Sequence, residues 1–221
     1  MRFCVKCGSE IPEGAEFCPN CGAPIEKAGS ITAPLPSKTA RNQASVSILE
    51  RMIRAAKLDS TLYEEVESDE AATIQALTVV VIASVCSAIG NAVGTAMRGM
   101  NTLNIVTSLV GGVILALVGW LIWSFITYFV GTKVFGGTAS YGELLRTTGF
   151  SDSPGVLLIF SFIPILGGLI SFIVGVWGLV AMVVAVRQAL DFSTGKAILT
   201  CIVGFIVYIV LIAIPFLLIG L

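Results

Sequence analysis

Residues 151–188 read SDSPGVLLIFSFIPILGGLISFIVGVWGLVAMVVAVRQ, and between Asp152 and Arg187 this stretch carries no charge. A helix needs about 20 apolar residues to cross a bilayer, so the run holds one crossing and most of a second. Its middle, Ile163-Pro164-Ile165-Leu166-Gly167-Gly168, combines a proline that lacks an N–H with a glycine pair that permits tight reversal. The stretch therefore reads as a helical hairpin. In lipid the backbone finds no water to bond, so each arm must pair its own polar groups as helix.

Outward from this hairpin the same character continues. The chain has a mean hydropathy of +0.94 and is 56% hydrophobic, outside the range of ordinary soluble domains. Beyond Thr73 its only charged residues are Arg98, Lys133, Glu143, Arg146, Asp152, Arg187, Asp191 and Lys196. Spans are expected over 73–97, 105–130, 168–190 and 197–221, with a broken third span over 141–163. The fold class is thus an all-α polytopic membrane protein, a five-span helical bundle over residues 71–221, preceded by a small N-terminal zinc-ribbon module. Ser140-x-x-Glu143 is a capping-box pattern at the start of the broken span, where Ser153 suits an N-cap and Pro154 a first helical position. Cys86, Gly90 and Gly94, four residues apart, form a small-residue stripe that admits a close neighbour. Cys86 and Cys201 read as small apolar core residues.

The polar head divides into a ribbon (1–26), a flexible Ala/Ser/Thr/Pro linker (27–47) and cytosolic amphipathic helices (48–70). In the ribbon, Cys4-x-x-Cys7 and Cys18-x-x-Cys21 place four thiolates at the spacing of a structural tetrahedral Zn2+ site, with Gly8 and Gly22 behind the pairs. A rubredoxin-like iron site and two disulfides are the competing readings. A module this small has little apolar core, so bound metal must supply most of its folding free energy. Arg2 and Lys6 face Glu10, Glu13, Glu16 and Glu26, a poor surface for phosphates, so no nucleic acid is expected. In the next segment, Ile48, Leu49, Met52, Ile53 and Ala56 repeat on one face, with Arg51, Arg54 and Lys57 on the other side or flank. That helix either lies on anionic headgroups or packs on the ends of the spans. Thr61-x-x-Glu64 reads as a capping box for a second helix that runs into the first span.

Thiols kept for metal imply a reducing compartment. With the N-terminus cytosolic, Lys133, Arg146, Arg187 and Lys196 fall in cytosolic loops and Arg98 alone falls outside, as the positive-inside rule requires. Five crossings then leave the C-terminus extracytoplasmic. Glu143 and Arg187 are brought to one face by this topology and are expected to form an ion pair, with independent anchoring of Arg146 and Arg187 to headgroups as the alternative.

The phrases Tyr141-Gly142-Glu143-Leu144-Leu145-Arg146, Gly149-Phe150, Ser153-Pro154, Gly167-Gly168, Trp177 and Arg187-Gln188-Ala189-Leu190 stand in an order that resembles the YIP (Ypt/Rab-interacting protein) membrane domain. The resemblance covers about Leu58 to Leu221 and is to the microbial branch, which pairs five spans with a cytosolic N-terminus. Eukaryotic members act in vesicle trafficking and contact small GTPases. They carry an Asp-Leu-Tyr-Gly-Pro phrase before the first span, where this chain has only Asp59 and Tyr63 in another arrangement. The resemblance therefore implies fold and topology.

Histidine is absent, which removes His-based triads and HExxH metalloprotease sites. The functional expectation is a non-enzymatic membrane-organising or trafficking-like adaptor. Its partners are the lipid bilayer and a protein bound through the ribbon or the cytosolic helices, with self-association into a homo-oligomer left open. The alternative is a small-molecule or ion transporter or channel that uses the broken third span, where Asp152 either marks a site or merely caps a helix.

Overall fold

The computed structural model describes residues 2–3, 7, 9–12, 15, 17–22, 47–99 and 101–219. Cys4, Gly8 and nearly all of the linker expected at 27–47 lie outside them. The chain divides into two compact units, Met1–Ser45 and Val46–Leu221.

In the first unit, β1 (Arg2–Phe3) pairs antiparallel with β2 (Glu10–Ile11), Arg2 opposite Ile11 and Phe3 opposite Glu10. The second cysteine pair closes a turn in which the Gly22 amide donates to the Cys18 carbonyl at 2.9 Å. Gly22 has φ +70°, a left-handed conformation that suits glycine.

The second unit is helical. Helix α1 (Ile48–Ala56) starts at Ser47, whose hydroxyl accepts from the Glu50 amide. Helix α2 (Ser60–Ser68) starts at Asp59, not at Thr61: the Asp59 carboxylate takes both the Thr61 amide and the Thr61 hydroxyl, so the capping box expected at Thr61 does not form. Nor does α2 run into the first span. Asp69 is extended and caps the next turn through the Ala71 amide at 3.0 Å, and α3 (Ala72–Met97) begins afresh. Then follow α4 (Thr102–Phe129), prolonged by a π-helical turn (Val130–Val134), α5 (Tyr141–Ser151), a 3-10 helix (Ser153–Phe160), α6 (Leu166–Ala189) and α7 (Thr194–Ile219).

Among the described residues four helices are long and apolar enough to cross a membrane: Ala72–Met97, Ile105–Val134, Leu166–Ala189 and Thr194–Leu211. Large apolar side chains such as Ile74, Leu115, Phe172, Leu179 and Ile206 stand exposed along them, as lipid-facing positions require. The expected broken third span is in two pieces, α5 and the 3-10 helix, and neither alone has that length.

Close approaches to α3 define the path of these two pieces. A Cβ on Gly149 would stand 2.9 Å from the Ala76 Cβ, and one on Gly155 would stand 3.2 Å from the Ala83 Cβ. A Cβ on Gly90 would overlap the Leu158 carbonyl, and one on Gly94 would lie 3.7 Å from Phe162 Cα. The segment thus climbs α3 from Ala76 to Gly94, about 27 Å at 1.5 Å per residue. The small-residue stripe read from sequence is the surface it rides on, with the 3-10 helix as the neighbour. The 3-10 helix rises about 2 Å per residue, so few residues cover this distance.

Where α5 gives way to the 3-10 helix, Pro154 lacks the N–H that would have reached the Phe150 carbonyl. The Ser153 hydroxyl donates to that carbonyl instead, at 2.6 Å. Ser153 therefore repairs the helix behind it and is not the N-cap that the sequence pattern implied, which is Asp152. The chain reverses at Ile165 (φ +67°), and the Gly167 amide donates to the Ile163 carbonyl at 2.7 Å. A Cβ on Gly167 would collide with the Ser161 carbonyl, so the hairpin turn admits only glycine there.

The α1–α2 hairpin packs into a core with Ala72, Ala76, Val79 and Val80 of α3, Trp120 of α4, Phe150 of α5 and Ala185 of α6. Its burial inverts part of the sequence reading of α1: Arg51 is 1% exposed, whereas Leu49 and Ile53 are 63% and 47% exposed. The Trp177 indole donates to the Ala56 carbonyl at 2.8 Å. Trp177 lies about 18 Å before the end of α6 at helical rise, so the hairpin lies alongside α6 and does not merely rest on its end.

Replacing Ser153 by Ala removes the hydroxyl donor to the buried Phe150 carbonyl, leaving it the Asp152 amide, and is expected to cost about 1 kcal/mol. Thr78→Ala, which removes an exposed hydroxyl bonded to the Ile74 carbonyl, serves as the control and should change stability little. Thermal unfolding of both variants in one detergent measures the difference, and equal shifts would contradict the repair role.

Candidate metal centre and the polar sites of the membrane domain

The ribbon brings Cys7, Cys18 and Cys21 together, their sulfurs all within 4.8 Å of one another. Four sulfurs about 2.3 Å from a tetrahedral zinc are about 3.8 Å apart along each edge. Cys7 Sγ and Cys18 Sγ are 3.7 Å apart, which fits such an edge and not a disulfide. Ser9 Oγ lies 3.0 Å from Cys7 Sγ and 3.3 Å from Cys18 Sγ, and the Asn20 amide donates toward Cys7 at 3.9 Å. The Ser9 hydroxyl, then the Cys21 and Asn20 backbones, bring the Cys18 thiol down to about 6, which favours the thiolate that ligation needs. Cys4 lies outside the described residues.

In the second unit the charged residues are used differently from the sequence expectation. Arg51 donates to Glu65 at 2.8 Å, to Asp69 at 3.0 Å and to Gln75 at 2.9 Å. Three acceptors offset the cost of burying its guanidinium, and they tie α1 to α2 and to the first turn of α3. Arg146, also buried, donates from Nε to the Val66 carbonyl at 2.9 Å and from Nη2 to the Glu67 carbonyl. Those are last-turn carbonyls of α2 that have no partner within the helix. Arg146 is thus a C-cap supplied from α5, not a headgroup anchor.

The ion pair expected between Glu143 and Arg187 is not formed. Glu143 closes the capping box on the Ser140 amide at 2.8 Å, which takes up its carboxylate. Arg187 is exposed, and no described acidic residue lies within ion-pair distance of it. The contact between these elements runs one residue further on, where Gln188 donates to Glu64 at 2.7 Å. Cys86 and Cys201 are free thiols, partly buried on α3 and α7.

Asp152 sits between α5 and the 3-10 helix, and its side chain makes no capping bond. It lines a cavity of about 730 Å3 shared by α3, α4, the broken segment, α6 and α7. Elsewhere in the bundle Ser124, Thr127, Thr147 and Thr148 are fully buried, with the Ser124 and Thr148 hydroxyls 2.8 Å apart. Neither this cavity nor the role of Ser153 is legible from sequence, because both depend on which faces meet.

The family profile of the Yip1 domain matches residues 60–214, and that of a zinc-ribbon domain matches residues 3–25. No curated protein and no solved structure matches the chain significantly.

Glu67 generates a pH prediction. Burial first, then the Glu143 and Asp191 carboxylates, push its carboxyl up to about 7, with Arg146 opposing and Glu64 adding to the rise. An unfolded glutamate titrates near 4.3, so the folded state holds the proton more tightly. The stabilisation is full below about 4.3 and is lost as pH rises through about 7. The melting temperature of the detergent-solubilised chain should therefore fall between pH 5.5 and 8, and Glu67→Gln should flatten the slope. An unchanged slope in that variant would assign the dependence elsewhere.

Proposed function

We propose a function for a chain that belongs to the Yip1 domain family: a non-enzymatic membrane adaptor whose zinc ribbon contacts a protein partner. The single observation that carries this reading is the locking of the α1–α2 hairpin to the bundle. Arg51, Arg146 and Trp177 hold it through buried and part-buried hydrogen bonds, so the hairpin is a rigid part of an integral membrane protein. In this reading the ribbon is the interaction module of a membrane-held chain. Cys4, Cys7, Cys18 and Cys21 hold the zinc in this reading, which serves the ribbon's folding and supplies no chemistry of its own.

The same proposal has five crossings, a cytosolic N-terminus and an extracytoplasmic C-terminus. The ends of α4 and α6 support the count. A Cβ on Gly131 would overlap the Leu190 side chain, so the chain leaves both helices at one face of the bundle. Helix α6 then starts at the opposite face, and residues 135–165 must travel between the two, as their path along α3 supports.

Two experiments test this reading. Purified protein kept reduced should hold about one zinc per chain, lost in Cys18→Ser while the membrane domain still inserts. A specific partner captured by the solubilised chain should be lost when residues 1–26 are deleted. Iron in place of zinc, no metal, or the same captured proteins with and without the ribbon would retire the adaptor reading. Separately, a reporter after Leu221 should read extracytoplasmic and one near Lys133 cytosolic. A cytosolic C-terminal reporter would make 141–163 a re-entrant segment.

A further inference from the structure

Between α4 and α7 runs a groove of about 550 Å3. Leu121, Phe125 and Val130 stand on its α4 side and Val203, Val207 and Leu211 on its α7 side, and the π-helical turn adds Val134 to the same lining. From Leu121 to Val130 the α4 wall is about 14 Å long at helical rise, and the α7 wall from Val203 to Leu211 about 12 Å. Within the crossing Ile105–Val134, Leu121 lies near the midpoint and Val134 at the end. The groove therefore covers one half of a span, and half of a hydrocarbon core of about 30 Å is one leaflet, about 15 Å.

The lining narrows the occupant. Among the described lining residues Tyr141 alone carries a polar side-chain atom, and its hydroxyl donates to the Leu121 carbonyl at 3.1 Å. The groove offers no free hydrogen bond, so a polar solute entering it would lose those it made to water. A helix about 10 Å across and 14 Å long fills about 1,100 Å3, so a helix of a second copy is too large to enter. An acyl chain meets both conditions. At the end of the groove, Lys133 directly precedes Val134, is exposed, and joins no ion pair among the described residues. A lysine at a span end lays its stem along apolar surface and holds its ammonium at headgroup level, where it complements negative charge.

We infer that this groove holds one acyl chain of an anionic phospholipid from the leaflet at which α4 ends, with Lys133 pairing the headgroup. The inference stands apart from the adaptor reading and from the number of crossings, since zinc loss, a failed capture or a re-entrant 141–163 leaves the groove unchanged.

The test uses the full-length protein in two arms. In the first, native mass spectrometry follows adducts from equal amounts of phosphatidylglycerol and phosphatidylcholine. Phosphatidylglycerol should be retained about fivefold more, the preference that one lysine near a charged surface confers. Lys133→Gln should bring the two lipids near equality, and Val207→Trp, which fills the groove, should lower retention of both. In the second arm, phosphatidylglycerol with a diazirine on its acyl chain is photo-crosslinked to the protein in phosphatidylcholine nanodiscs. Label should be enriched in residues 121–134 and 203–211 over residues 169–180, where Leu169, Phe172 and Leu179 also stand exposed. Equal retention of the two lipids by the wild type, an undiminished preference in Lys133→Gln, or label no richer in the groove segments overturns the inference. A dimer of chains whose groove segments escape labelling overturns it in favour of a second copy. Should Val207→Trp not fold, Lys133→Gln and the labelling decide.

Discussion

Within a bilayer, a backbone N–H or C=O that finds no partner in the protein finds none at all, and the rest of this structure follows from that constraint. The long helices meet it by their own ladders. The segment between α5 and α6 cannot, because Pro154 removes a donor and the hairpin turn interrupts the helix. The chain answers with hydroxyls at the break: Ser153 to the Phe150 carbonyl and Ser151 to the Thr148 carbonyl, both at 2.6 Å. These bonds let an irregular path be buried against α3, and glycine on both sides lets the backbones come close enough to use it.

The same constraint explains the two buried arginines. Helix α2 ends beside the bundle with carbonyls that water does not reach, and Arg146 delivers a charge-assisted donor to them from α5. Arg51 does the corresponding work between α1, α2 and α3, with carboxylates as acceptors. Fixed in this way, the α1–α2 hairpin belongs to the membrane domain as much as the spans do. By contrast, Glu143 is held within its own helix start, and Arg187 stays at the surface. Charge near a membrane face is therefore divided between groups that complete the backbone's bonding and groups left to solvent.

The ribbon and the cavity are governed by different physics. In the ribbon, three cysteine sulfurs converge within 4.8 Å of one another, the donor set that suits a metal ion. In the cavity, the walls are set by the packing of the surrounding helices, with Asp152 among the lining residues.

Local composition by itself determined the class of this protein. Uncharged runs of crossing length, paired Cys-x-x-Cys motifs, the Ser140–Glu143 capping box and the Pro164–Gly168 reversal each act within a few residues, so their outcome is legible without knowing the neighbours. Thr61 was a false cap because the Asp59 carboxylate, two residues earlier, takes the Thr61 amide and hydroxyl and starts the helix first, a contest that pattern alone does not rank. Only the tertiary structure decided that Arg51 is buried and Leu49 exposed, because a guanidinium can enter a core once three acceptors from other helices surround it. The same holds for Arg146 on the α2 carbonyls, for Glu143 kept from Arg187, and for Asp152 set in a cavity wall. In each case the deciding partner lies on another element, and which elements meet is set by packing over the whole bundle.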